Sequence, residues 1–297
     1  MRVRVLGSAA GGGVPQWNCR CETCEAARAG ERARPRTQSS LALRGDEGPW
    51  FLVNASPDLR QQLETGLDAP ARGDGVRSPP VAGVLLTDAE IDHTAGLLLL
   101  REATTPLHVF GAAGVERALT DSYPVLPMLE FYCGAAWRTL EPERPHPLAG
   151  SSLVVEPFAT GGDAPRYLGP DTELEASGFA FSDSGGMVTY APGLARLDDS
   201  VVARLAASDL VLVDGTFWHD DDLARLGISD RTARDMGHTP LAGPGGTLEV
   251  LAGLERPRKV LVHINNTNPI LLEDSPEREQ VARAGVEVAY DGLEAEL

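Results

Sequence analysis

Short apolar runs that stop at a carboxylate or an imidazole are the strongest constraint in this sequence. Residues 81–86 lead straight into Thr87, Asp88, Glu90, Asp92 and His93. Residues 210–214 end in Asp214, and residues 259–263 end in His263. Runs this short fit buried strands better than helices. Further strand-like runs lie at 2–6, 50–53, 152–156, 178–182, 187–190 and 286–290. Helices are expected at 24–29, 58–63, 93–101 and 247–254. Another is expected from Asp198 or Asp199, both good N-caps, to Ala207. Residues 66–80 are rich in Gly, Pro and charge and read as a surface loop. The strands outnumber what one doubly wound sheet needs, with helices spread among them. An α/β (α+β) arrangement of two packed sheets between outer helices is therefore expected, as one domain over residues 1–297.

Composition narrows the partners. The 297 residues are 42% hydrophobic and 23% charged, with a net charge of −17. Basic residues are almost all arginine, and Lys259 is the only lysine. That balance repels phosphate backbones, so nucleic acid is not an expected partner. A local basic pocket could still take one small anion. No segment approaches the ~18 apolar residues of a membrane span, and the N-terminus reads as a strand and glycine loop rather than a signal peptide. The expected location is the cytoplasm.

Cys19, Cys21 and Cys24 crowd into six residues. Three thiolates this close can bind one Zn²⁺ tetrahedrally with one more ligand, and a thiolate-rich site is usually structural. Cys133 has the right chemistry for the fourth ligand but no placement argument. Buried, inert cysteines are the competing reading.

The run from Thr87 to His93 places three carboxylates and a histidine between a strand and a helix. Such groups suit Fe²⁺, Mn²⁺ or Zn²⁺. A solvated acidic turn capping the helix explains them about as well. The pattern Asp88-x-Glu90-x-Asp92-His93 resembles the His-x-His-x-Asp-His motif of the metallo-β-lactamase superfamily, with acids in place of its two leading histidines. Residues 51–62 look like that superfamily's preceding strand and helix, and residues 260–263 like the strand that delivers its last metal histidine. Residues 6–19, 213–218, 236–240 and 263–269 resemble the coenzyme PQQ synthesis protein B family in particular, so the likeness spans most of the chain.

The resemblance implies a four-layer αββα metallo-β-lactamase sandwich with its site at one edge. It also implies a role in making pyrroloquinoline quinone (PQQ) from a cross-linked Glu-Tyr precursor, as an iron-dependent, O₂-using hydroxylase of the tyrosine ring. The family has also been described as a carrier moving PQQ or its precursor toward the periplasm. A metal-dependent hydrolase is a further alternative, but no histidine and bridging aspartate stand at 157–165 or 190–194, where two zinc ions would need them. Asp92, His93 and His263 remain as a single-metal set, matching the two-histidine, one-carboxylate ligands of non-haem Fe²⁺ oxygenases. His238, Glu90 and Asp88 are candidates for proton transfer, although the two acids could equally ligate the metal or orient its histidine. Asp214 is a candidate second partner behind a ligand, or a plain cap. Trp17, Trp218 and Tyr190 could stack on an aromatic substrate. The expected partner is a small-molecule PQQ precursor, and a homodimer is allowed.

Overall fold

A computed structural model describes residues 1–46, 48–67, 76–169, 172 and 174–297. Most of the loop expected at 66–80 lies outside the described residues. The strands, in chain order, are β1 Arg2–Gly7, β2 Ser40–Arg44, β3 Trp50–Val53, β4 Val81–Leu85, β5 Leu107–Gly111, β6 Ala135–Thr139 and β7 His146–Pro147. They continue as β8 Val154–Ala159, β9 Ser177–Ser182, β10 Met187–Ala191, β11 Leu210–Asp214, β12 Arg258–Val262, β13 Glu287–Val288 and β14 Glu294–Glu296. Two seven-stranded sheets result, ordered β14-β1-β2-β3-β4-β5-β6 and β13-β12-β11-β10-β9-β8-β7. The first half of the chain builds one sheet and the second half the other. β14 then returns to pair with β1.

Burial explains the layering. Phe51, Leu85 and Leu41 of the first sheet meet Phe179, Phe181, Tyr190 and Leu212 of the second in one apolar layer. The opposite face of each sheet is covered by helices, including Leu59–Gly66 on the first and Asp199–Ala207 on the second. The inner strands are therefore buried on both faces and read as continuous apolar runs, as in the fully buried β11. This is the expected αββα sandwich.

Several boundaries differ from expectation. Residues 93–101 do not form one α-helix. A short α-helix, Ile91–Thr94, gives way to a 3₁₀ segment, Ala95–Leu100. Gly96 lies so close to the loop after β3 that an added Cβ would sit 2.2 Å from the Ser56 carbonyl oxygen. The last strand is β14, not the run at 286–290. β2, β5, β6 and β7 were not expected: all are five residues or shorter, and β6 and β7 are also half-polar, so they carry little periodic signal.

β3, β4, β5 and β6 run parallel, as do β10, β11, β12 and β13. Parallel strands deliver their carboxyl ends to one edge, where such sheets usually bind ligands. Gly96→Ala is expected to destabilise the protein by about 1–3 kcal/mol through this backbone clash. Urea denaturation would test it, and an unchanged midpoint would refute the clash.

Candidate metal centre

Beyond β4 the chain turns at Asp88, whose Oδ1 accepts the Glu90 N–H at 2.9 Å, and enters the helix carrying Asp92 and His93. Across the sandwich edge, β11 ends at Asp214 and β12 releases the chain at His263. His263 has φ 54°, a left-handed conformation that costs a non-glycine residue about 1–3 kcal/mol. It leaves the His93 and His263 ring centroids 5.2 Å apart. Asp92 Oδ2 stands 3.7 Å from Nε2 of both histidines.

That separation is too long for a hydrogen bond. It suits two ligands of one ion, each bonded at about 2 Å. His93 Nε2 is also buried without a hydrogen-bond partner among the described residues. An orphaned buried polar atom costs about 1–3 kcal/mol, which a bound cation would remove. One donor atom from each of Asp92, His93 and His263 lies within 4.8 Å of the others. The residues present therefore fit a metal ion. Asp214, His238 and His263 form a second such group that shares His263.

Each histidine is held through Nδ1. His93 Nδ1 lies 2.8 Å from Asp88, and His238 Nδ1 lies 2.6 Å from Asp214 Oδ2. His263 Nδ1 lies 2.9 Å from the Thr216 hydroxyl, which in turn donates to Asp214 Oδ1 at 2.6 Å. Outer partners of this kind fix the ring orientation and raise the basicity of a ligand histidine. Asp214 also accepts the Leu194 and Thr216 backbone N–H groups, both at 2.9 Å. Four donors fill the roughly four lone-pair positions of a carboxylate, leaving Asp214 little capacity to bind a metal as well.

The local field is negative. Burial pushes the His93 pKa down, but the carboxylates of Asp88 and Asp92 outweigh it and hold it up at about 9. Burial and the same two carboxylates push Glu90 up to about 7. Burial raises Asp214, but the His238 imidazole and its hydrogen bond hold it below the usual carboxylate range. Burial holds His263 below the usual histidine range.

A cavity of 370 Å³ opens over the centre. Glu90, Asp92, His93, His238 and His263 line it, together with Phe217. The glycine loop reaches it: a Cβ on Gly11 would sit 3.2 Å from Asp92 Oδ2. The aromatic residues expected to stack there do not line it. Trp17 is 86% exposed, Trp218 is core, and Tyr190 is buried with its hydroxyl 2.9 Å from that of Ser39.

The three cysteines form a separate group with sulfur atoms within 4.8 Å of one another. Asn266 binds this cluster, its Nδ2 lying 3.3 Å from Cys24 Sγ. Burial pushes the Cys21 thiol up to about 12. Cys133 is not in the cluster; its sulfur contacts the Leu100 carbonyl, 3.8 Å away.

A family model described as "Beta-lactamase superfamily domain" matches residues 49–264. The coenzyme PQQ synthesis protein B of Cupriavidus taiwanensis is 48% identical, over 99% of both chains. That of Methylococcus capsulatus is 46% identical, over 100% of both. The chain belongs to the coenzyme PQQ synthesis protein B family. A solved structure of Zn²⁺-bound PqqB from Methylobacterium extorquens superposes with a TM-score of 0.91 at 41% identity, covering both chains completely. The structure brings Asp92, His93 and His263 of this chain together, with Glu90 and His238 beside them. Asp88 and Asp214 turn to the Nδ1 atoms of histidines. Thr216 was missed, since only the fold reveals its reach across to His263.

In the metal-free protein His93 holds its proton up to about pH 9, and that proton must leave before Nε2 can bind a cation. Metal affinity is therefore expected to rise with pH and flatten above that value, changing about tenfold per unit below it. Titrations from pH 6.5 upward would test this. A flat profile would show that no proton leaves His93 when the ion binds.

Proposed function

We propose that this chain is a metal-dependent enzyme of PQQ synthesis that hydroxylates the tyrosine-derived ring of a small Glu-Tyr precursor, using Fe²⁺ held by Asp92, His93 and His263. The convergence of two imidazoles and one carboxylate around the orphaned His93 Nε2 carries this reading. Fe²⁺ in such a set supplies the one-electron chemistry that O₂ needs, with positions left for substrate. One oxygen atom would be inserted into a ring C–H bond, giving C–OH. The other leaves as water, with two electrons and two protons from a reductant.

The surrounding residues orient groups and move protons. Asp88 orients His93, and Thr216 orients His263. With its pKa near 7, Glu90 can take the phenol proton at working pH. His238 is a second proton-transfer group, held by Asp214. A two-metal hydrolase is less well supported, because the second group shares His263 with the first and its Asp214 is already saturated. Cys19, Cys21 and Cys24 are proposed to hold a separate, structural Zn²⁺. The reading places the chain in the cytoplasm as one domain.

His93→Ala and His263→Ala should each lower turnover by more than about a hundredfold while the fold survives, since even outer-partner changes cost 10–100-fold. The assay supplies Fe²⁺, O₂, a reductant and the precursor, and follows oxygen gained in the product. Full activity in either variant would sink the site. Precursor bound but returned unchanged with every metal would favour the carrier reading instead. For the cysteines, Cys21→Ser should remove about one zinc per chain and lower the melting temperature. An unaltered zinc content would show that the cluster has been misread.

A further inference from the structure

The cavity over the metal centre is acidic, yet it also presents two arginines. Asp88, Glu90, Asp92, Asp163 and Asp235 all face it, and among the described residues Arg166 and Arg231 are its only cationic side chains besides the histidines. Arg166 opens a 3₁₀ turn, Arg166–Leu168. Tyr167 fastens that turn over the centre by donating its hydroxyl to the Ala89 carbonyl at 2.8 Å. Arg231 stands on the loop that ends at His238. Its guanidinium donates to the Asp235 carbonyl, which leaves most of its five N–H donors uncommitted. Among the described residues neither guanidinium forms an ion pair, although most arginines of this acidic chain have carboxylate partners.

The two segments meet. A Cβ added to Gly237 would lie 3.4 Å from the Gly162 Cα and 3.5 Å from the Asp163 nitrogen. Glycine at 237, with φ 77°, permits that approach. One wall of the cavity is thus a joined pair of segments, each supplying one arginine, and Phe217 and Met236 add apolar surface.

We infer that Arg166 and Arg231 are substrate-binding residues that grip two carboxylates of an aromatic polycarboxylic acid while its ring faces the metal centre. This rests on reading the cavity as the substrate site. A guanidinium matches a carboxylate through two parallel N–H···O bonds, an arrangement a hydroxyl or amide cannot reproduce. Anchoring is also needed here, because the acids around His93 would otherwise repel an anionic substrate.

PQQ, an aromatic tricarboxylic acid, and its trimethyl ester are suitable probes. Their binding to the zinc-loaded protein can be measured by calorimetry at constant salt. Wild type should bind PQQ, and Arg166→Gln and Arg231→Gln should each weaken that binding by about tenfold or more. The ester should bind weakly and equally to all three proteins. Metal content and melting temperature should not move. The assignment is overturned if wild type does not bind PQQ, if either variant binds it as wild type does, or if the ester binds as tightly as the acid. Zinc supports no O₂ chemistry, so this outcome is independent of the hydroxylation assay. Loss of arginine-dependent binding leaves the oxygenase reading standing, and failed hydroxylation leaves the arginine assignment standing.

Discussion

The Asp214 carboxylate lies fully buried at the end of β11 and receives hydrogen bonds from Leu194, Thr216 backbone and side chain, and His238. A buried carboxylate without such partners would cost several kcal/mol. With them it joins three pieces of chain that backbone bonds also link, as from the Thr239 N–H to the Leu194 carbonyl. These are the segment after β10, the turn after β11, and the loop carrying His238. Through Thr216 it also reaches His263, at the end of the neighbouring parallel strand. Removing this one charge would release His238 directly and His263 through the hydroxyl between them.

Asp88 does the same for the other sheet. It binds His93 and turns the chain after β4. Each half of the sandwich thus contributes one buried carboxylate behind one or two imidazoles, and His93 and His263 face each other across the seam. The arrangement concentrates negative charge, which draws a cation and drives Glu90 toward its neutral form. It also sets a problem for an acidic substrate, which the proposed grip of Arg166 and Arg231 would answer.

The layers, and the carboxylates and imidazoles at the strand ends, were legible because their signals are local. Buried parallel strands give unbroken apolar runs, and a donor placed just past such a run lands at the strand's carboxyl end. Asp214, the last residue of β11, and His263, just past β12, both follow that rule. Long-range pairing left no such trace. Nothing near Thr216 signals its contact with a residue 47 positions away. Arg166 and Arg231 look like surface charges until their two loops are brought together at Gly162 and Gly237. The edge strands β6 and β7 are half-polar, so neither period nor composition separates them from loop.

The cysteine cluster is spatially separate from the histidines, yet the same segment serves both. His263 leaves β12 in a left-handed turn, Asn265 faces the cavity, and Asn266 places its amide on Cys24. The next turn is fixed by Asn268, which accepts the Ile270 N–H and donates to the Gly215 carbonyl beside Asp214. The segment just after the strained His263 is therefore clamped at two points, to the cysteines through Asn266 and to the Asp214 turn through Asn268. A left-handed non-glycine residue persists only where its surroundings over-determine it. A structural ion at the cysteines would stiffen one of those two clamps, so it would act on the active centre by holding His263 in place without touching substrate.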